Sequence, residues 1–212
     1  MGNSLLARAE HKLYLARRRK KLKNKTPSVI SSNCNGAFIL HDLGCRFNSP
    51  TVNLYFEAPD YLRFVSDLER YLNAVLEPVP SALPFPVGRL DDLPVYFMHF
   101  ASFEEAKQKW VARAARVDME NAFFMMTDKN GCTYEMIRAF DALPFAHKVI
   151  FTHKPYPEFK SACYIPGFED AGEVGVLSDW KPGFWKRRWL DDFDAVAFLN
   201  GEIYSFEKEN EK

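Results

Sequence analysis

The chain has 212 residues, of which 47% are hydrophobic and 26% charged, and its basic and acidic side chains are equal in number. This length and composition predict a single globular domain with one substantial core. No segment reaches the roughly 18 apolar residues that a transmembrane helix requires, and the N-terminus lacks a signal-peptide pattern. We therefore expect a cytoplasmic protein with reduced cysteines. None of the four cysteines has the spacing of a zinc site, so no metal site is predicted.

The charge is unevenly distributed along the chain. Residues 1–26 contain nine lysines and arginines and one glutamate, a net charge of +8, so the remaining 186 residues sum to −8. The leucine spacing predicts a basic helix over residues 3–23. Two interpretations are open: a solvated helix packed on the acidic body, or attraction to anionic lipid at the inner face of the cell membrane. Nucleic acid is not an expected partner, because neither interleaved aromatic residues nor a binding motif accompanies the basic residues.

The first predicted strand leads directly into a small polar loop and a helix. The strand covers Ser28–Ser31, and the helix covers Ala37–Leu43 and ends at Gly44. In α/β proteins such a loop lies beyond the carboxyl end of a strand, where the unpaired N–H groups of a helix can bind a ligand. The helix dipole is expected to lower the pKa of the Cys34 thiol and favour thiolate. The candidate site residues in this loop are Ser32, Asn33, Cys34, Asn35 and Gly36.

Further elements follow from hydrophobic periodicity and turn residues. Helices are predicted over residues 59–76, 102–116 and 134–143. Strands are predicted over residues 51–56, 94–100, 121–127, 147–153, 161–165 and 194–199. The proline-rich segment 78–88 is predicted to be an extended loop. The apolar run at 121–127 is typical of a central strand that is covered on both faces.

Residues capable of catalysis follow several of these strands. Asp128 comes directly after the central strand, and His99 and His153 stand near the ends of two others. Because the carboxyl ends of parallel strands meet at one sheet edge, we expect these side chains and Cys34 to share a cleft. Cys34 could be a thiolate or a hydrogen-bonding centre, His99 or His153 a general base, and Asp128 the group that orients it. Taken singly, each residue could equally have a structural role.

Other polar residues are candidates for binding a substrate. Asn48, Ser49 and Asn53 offer amide and hydroxyl contacts. Arg89 or Lys109 could hold a phosphate group. Three tryptophans near the basic residues 186–188 could stack on sugar rings or pack within a C-terminal helix; they are Trp180, Trp185 and Trp189.

Several short motifs occur together in an order that is similar to that of a known protein family. These motifs are Ser32–Gly36, Phe47–Thr51, Ala58–Tyr61, Pro86–Leu90, Glu105–Ala106 with Lys109–Trp110, and Thr127–Asp128 with Gly131–Cys132. In this order the chain resembles a bacterial family known as domain of unknown function nineteen-nineteen, often described as exopolysaccharide biosynthesis proteins. The resemblance covers about residues 28–165, adds Trp110 to the candidate binding residues, and implies an α/β fold and a role beside glycosyltransferases. No reaction is established for the family, and Asn35 stands where an aromatic residue often follows the cysteine.

These observations together predict an α/β fold: a single-domain, Rossmann-like three-layer sandwich with a mostly parallel sheet. The expected organisation is a basic N-terminal helix over residues 1–26, one domain over 27–206 and a charged tail over 207–212. The predicted function is group transfer on a sugar or an activated donor, such as a nucleotide-sugar or acyl donor, in exopolysaccharide or capsule biosynthesis. The alternative is a non-catalytic glycan- or nucleotide-binding partner of a membrane-associated glycosyltransferase. No cofactor is assigned.

Overall fold

The computed structural model describes residues 5–182 and 187–202. The helices are α1 Leu5–Lys21, α2 Asn35–Leu43, α3 Ala58–Ser66, α4 Leu68–Asn73, α5 Phe103–Ala114, α6 Tyr134–Ala142 and α7 Ala195–Leu199. The strands are β1 Ser28–Ser31, β2 Leu76–Val79, β3 Val87–Leu90, β4 Leu93–Tyr96, β5 Ala122–Thr127, β6 Lys148–Thr152 and β7 Ala162–Tyr164. Short 3-10 helices cover Met119–Asn121 and Trp189–Asp192. No helix in these ranges is long and apolar enough to cross a membrane.

The main sheet contains four parallel strands in the order β1-β5-β6-β7. Every residue of β5 is buried, as expected for an inner strand with both faces covered. Because side chains alternate across a strand, Phe124 and Met126 enter one core while Phe123 and Met125 enter the other. Helices α3, α5 and α6 cover the first face, and α2 and α7 cover the second. The three-layer α/β sandwich predicted from the sequence is confirmed.

The helices that follow β1 and β5 leave toward opposite faces of the sheet. Helix α2 packs in the core that contains Val29, whereas α6 packs in the core that contains Ile30. Adjacent parallel strands whose connections diverge in this way leave a crevice at their carboxyl ends. At Gly36 a Cβ atom would lie 2.8 Å from both Ser31 Cβ and Val29 Cγ1, so the absent side chain lets α2 approach β1 closely.

The second sheet is a small antiparallel one with strand order β2-β3-β4. The predicted extended loop at 78–88 is therefore partly wrong, since β2 ends at Val79 and β3 begins at Val87. Pro78 is tolerated because β2 is an edge strand. The predicted strand at 94–100 is also misplaced: β4 ends at Tyr96 and does not belong to the parallel sheet.

Three other predicted elements differ from the structure. Residues 51–56 form only an isolated bridge between Tyr55 and Tyr96, because Asn53 has a positive φ of 64° that interrupts an extended strand. The predicted helix at 59–76 divides at Asp67, which has the non-helical angles φ −137° and ψ 51°. Residues 195–199 form helix α7 instead of a strand, because the Asp194 side chain accepts hydrogen bonds from two backbone N–H groups of its first turn.

Helix α1 packs on the second face of the sandwich, against α2 and α7. Its boundaries agree with the predicted helix at 3–23 to within two residues. The predicted domain boundaries at 26 and 206 stay predictions, and the tail at 207–212 lies outside the described residues.

Candidate functional site

A buried aspartate and a buried histidine meet at the carboxyl edge of the parallel sheet. Asp128 follows β5 and His153 follows β6, the neighbouring parallel strand. Their Oδ2 and Nδ1 atoms are 2.5 Å apart, and the residues are only 4% and 7% exposed. The backbone N–H of His153 also donates to Asp128 Oδ2 at 2.7 Å, and that of Val174 donates to Oδ1 at 2.8 Å. Both carboxylate oxygens therefore have donors, as a buried carboxylate requires.

This contact determines which nitrogen of His153 is available for chemistry. When Nδ1 carries the proton donated to Asp128, Nε2 of the neutral ring holds a lone pair. Within residues 5–182 and 187–202, Nε2 makes no hydrogen bond, and Asp128 makes no ion pair with a lysine or arginine. An imidazole oriented by a carboxylate, with its other nitrogen available, can accept a proton from a hydroxyl group.

Asn33 connects the first loop to the strand that carries Asp128. Its Nδ2 donates to Thr127 Oγ1 at 3.0 Å, and its Oδ1 accepts from the backbone N–H of Asn35 at 3.1 Å. The loop after β1 thus ends beside the last residue of β5, one position before Asp128. This hydrogen bond lies across the crevice that the diverging helices create.

Cys34 does not have the properties predicted from the helix dipole. Its half-buried thiol lies 3.8 Å from the Leu54 carbonyl oxygen. Burial raises the pKa of the Cys34 thiol, and hydrogen bonds from the backbone of Asn53 and Leu54 only partly oppose this. The expected lowering of the Cys34 pKa is not found, because desolvation of the thiol is the largest influence on it. Of the four predicted catalytic residues, the structure joins Asp128 and His153; within the described ranges neither of them makes a hydrogen bond with Cys34.

Within the described residues, His99 makes no hydrogen bond or ion pair with Asp128 or His153. It is exposed beyond β4, and its backbone N–H donates to the Asn53 carbonyl at 3.4 Å. Since β4 belongs to the antiparallel sheet, the strand-end argument does not apply to it. His99 is thus an exposed residue beyond the antiparallel sheet, and its role as a base stays a prediction; Asn53 has the positive φ of a turn position.

The predicted binding residues have mainly structural contacts. Buried Asn48 donates to the Thr26 carbonyl at 3.3 Å, and the Ser49 hydroxyl lies 2.9 Å from Thr51 Oγ1. Ser32 and Asn35 are also buried: the Ser32 N–H donates to a β5 carbonyl, and Asn35 begins α2. These four residues hold the β1 region in place.

Arg89 and Lys109, which were predicted to hold a phosphate group, lie on β3 and α5, outside the parallel sheet. Arg89 is exposed on β3, where its Nη2 is 3.1 Å from Glu77 Oε2. Lys109 is exposed on α5, and its neighbour Trp110 is buried against the rings of Phe64 and Phe97. Trp110 is therefore a core residue, and its predicted role as a substrate contact is corrected.

Two residues near Asp128 were missed by the sequence analysis. Burial and then the charge of Asp128 raise the pKa of Cys132 to about 12. Burial, followed by Asp128 and Cys132, likewise raises the pKa of Tyr156. The only signals for them were the position of Cys132 in the turn after β5 and that of Tyr156 three residues after His153. No group of three or more histidine, cysteine, aspartate or glutamate residues in the described ranges is arranged to hold a metal ion.

The fold and this edge define the class of protein: an α/β sandwich with a buried Asp–His pair beyond two parallel strands. Residues 6–200 match the family described as domain of unknown function (DUF1919), and the chain belongs to that family. An uncharacterised protein from Haemophilus influenzae is 49% identical over 181 residues, which cover 85% of this chain and 87% of that protein. The family inferred from the short motifs is thus confirmed.

Proposed function

We propose that the protein is a group transferase of exopolysaccharide or capsule biosynthesis, with His153 as the general base. The observation that carries this proposal is the 2.5 Å contact between His153 Nδ1 and Asp128 Oδ2. The contact orients the imidazole and, when Nδ1 is the donor, leaves Nε2 as an acceptor for the proton of a substrate hydroxyl, as general-base catalysis requires. The polysaccharide context rests on the resemblance of the sequence motifs to a family often described in those terms.

In the proposed reaction, the acceptor is a sugar hydroxyl and the donor is a nucleotide-sugar or an acyl thioester. The hydroxyl oxygen forms a bond to the electrophilic carbon of the donor while its proton moves to His153 Nε2. The bond between that carbon and the leaving group breaks, and the leaving group departs with the electron pair. The proton then passes from Nε2 to the leaving group or to solvent. The negative charge of Asp128 stabilises the imidazolium between these two transfers.

Cys34 has no nucleophilic role in this proposal. Its raised pKa keeps the thiol protonated near neutral pH. A C34A variant is therefore expected to retain transfer activity, whereas covalent catalysis through the thiol would abolish it.

The test is a transfer assay with purified protein. Nucleotide-sugars and acyl-coenzyme A thioesters are incubated with oligosaccharide acceptors, and products are identified by mass spectrometry. H153Q is expected to lower turnover by about 10²–10⁴-fold, the usual contribution of a general base. The matched control is H11Q, which removes a half-buried histidine that contacts another aspartate, His11 beside Asp191; its turnover should equal that of wild type. Equal turnover in H153Q and wild type would contradict the proposal.

A second candidate function, glycan binding without catalysis, is favoured by a half-buried aromatic pair beside the edge. The rings of Tyr55 and Tyr96 stack with centroids 4.7 Å apart and planes 10° from parallel. The residue after Tyr55 is tied to the site, because the Phe56 N–H donates to the Ser32 carbonyl at 2.9 Å. Aromatic faces suit sugar rings, and each good aromatic contact contributes about 1 kcal/mol.

Calorimetric binding of oligosaccharides separates the two functions. If the protein only binds glycans, wild type and H153Q should have equal affinity for the oligosaccharide, and Y96A should bind it about fivefold more weakly. No donor should then be turned over. The tryptophan-rich segment offers less support for this function: Trp180 packs against His11 and Trp189 against Phe168. Trp185 lies outside the described residues.

A further inference from the structure

We infer that the outward face of helix α1 binds the surface of a bilayer rich in anionic lipid. The two faces of this helix differ sharply in what they contact. One face is used to attach the helix to the protein, and the other carries cations that the fold does not use.

The inward face of α1 contacts acidic residues of the protein body. Arg18, which is 7% exposed, forms an ion pair with Asp194, and the His11 ring lies 3.1 Å from Asp191 Oδ2. The guanidinium of Arg19 donates to the Asp42 carbonyl at 2.6 Å. The acidic body therefore attracts α1 through these residues, which fixes the helix orientation.

The outward face retains a cluster of basic side chains around one leucine. Positions 12, 13, 16, 17 and 20 follow the three- and four-residue spacing of one helix face, and all five are exposed. Lys12, Arg17 and Lys20 make no ion pair with any residue in 5–182 or 187–202. Leu13 stands among them with 62% of its surface exposed.

This combination fits a lipid surface better than nucleic acid. A helix of 17 residues is about 25 Å long, so the cations can reach several lipid headgroups at once. Basic side chains are attracted to anionic headgroups, and an apolar side chain on the same face can enter the boundary of the acyl chains. Such a leucine gains free energy in the acyl boundary and gains nothing against a phosphodiester backbone.

The experiment is vesicle co-sedimentation of the full chain with two compositions: phosphatidylcholine alone, and phosphatidylcholine with 30 mol% phosphatidylserine. Wild type is expected to bind only the second. The variant K12Q/R17Q/K20Q should weaken binding about 100-fold, since each basic residue contributes a factor of about 5 at an anionic surface. L13S should weaken it about tenfold. Raising salt from 0.1 to 0.5 M should also release the protein, because the Debye length shortens.

A matched variant removes three exposed cations elsewhere: K107Q/R138Q/K160Q. It should bind like wild type, and thermal melting should show all variants folded. Equal losses in the two triple variants would overturn the proposal, as would equal binding to both vesicle compositions. Tighter binding of wild type to DNA or RNA than to anionic vesicles, lost in K12Q/R17Q/K20Q, would also overturn it and assign the face to nucleic acid.

Discussion

Among the described residues, His153 with Asp128 and His11 with Asp191 each form a contact at a buried carboxylate, and the two contacts differ in what else binds that carboxylate. Asp128 contacts His153 and two backbone N–H groups at the sheet edge. Asp191 contacts His11 too, but Arg188 also binds it, with Nη2 2.8 Å from Oδ1 and the backbone N–H 2.8 Å from Oδ2. Arg188 binds the carboxylate of Asp191, whereas within residues 5–182 and 187–202 the His153 ring is the only titratable group that contacts the carboxylate of Asp128. The first pair therefore differs from the second in two respects that favour catalysis: it lies beyond two parallel strands, and no guanidinium binds its carboxylate within the described residues.

In this comparison, the largest effect is expected from removing Arg188, which binds the carboxylate of Asp191 in the second pair. R188A leaves both Asp42 and Asp191 buried without their guanidinium partner. Loss of one member of a buried ion pair costs about 3–5 kcal/mol, so urea unfolding should show a free energy lowered by that amount. R63A is the control, because its ion pairs are exposed and contribute under about 1 kcal/mol. A loss in R188A no larger than in R63A would show that the second pair is not structural.

The loss of folding stability at acid pH gives a second test of the role of Asp191 in its pair. Burial disfavours the charged form of Asp191, but hydrogen bonds from His11 and Arg188 outweigh it and lower its pKa from 3.8 to about 2. A lowered pKa in the folded state means stability that is complete above about pH 4 and lost as pH falls to 2. The integrated contribution is about 2 kcal/mol. Chemical unfolding between pH 5 and 2 should therefore be less pH-dependent in D191N than in wild type by this amount; identical slopes would contradict the assignment.

The smallest effect concerns the hydrogen bond that joins the β1 loop to the edge. N33A removes the donor to Thr127 Oγ1 and the acceptor for the Asn35 N–H. With two neutral, part-buried hydrogen bonds lost, the free energy of unfolding should fall by about 1–2 kcal/mol. The corresponding control is N73A, whose exposed amide bonds only the carbonyl at the preceding turn of its helix. If N33A and N73A lower the free energy of unfolding equally, the hydrogen bonds of Asn33 do not stabilise the crevice.

The elements that the sequence predicted well are those specified by neighbouring residues. Strand β1 has its predicted boundaries, and β5 lies within one residue of its predicted start, because a β-forming segment in the first and an apolar run in the second are followed by polar turns. The start of α5 was also specified locally, since the Ser102 hydroxyl accepts from the Glu105 N–H. The antiparallel sheet was missed because its strands are four residues long and β2 pairs with β3 across a proline-rich segment.

The sequence predicted the part of the candidate site that depends on the ends of neighbouring parallel strands. Asp128 and His153 were nominated by their positions after two strands, and the parallel pairing of β5 with β6 brings them into contact. The environment of Cys34 was not predictable, since burial against the Leu54 backbone depends on a segment 20 positions away. The placement of the strand before His99 in the parallel sheet was wrong for the same reason, because no local pattern reveals which sheet a strand joins.

The pairing of β1 with β5 also constrains how the chain can fold during synthesis. Ser28 lies opposite Ala122, so 94 positions separate the two partners. At about 5–20 residues per second, β1 leaves the ribosome roughly 5–20 s before the strand that satisfies its backbone. Long-range parallel contacts of this kind raise the contact order and slow folding. The strand that leads into the candidate site is thus translated first among the strands of its sheet, and it must wait for its partner before it can pair.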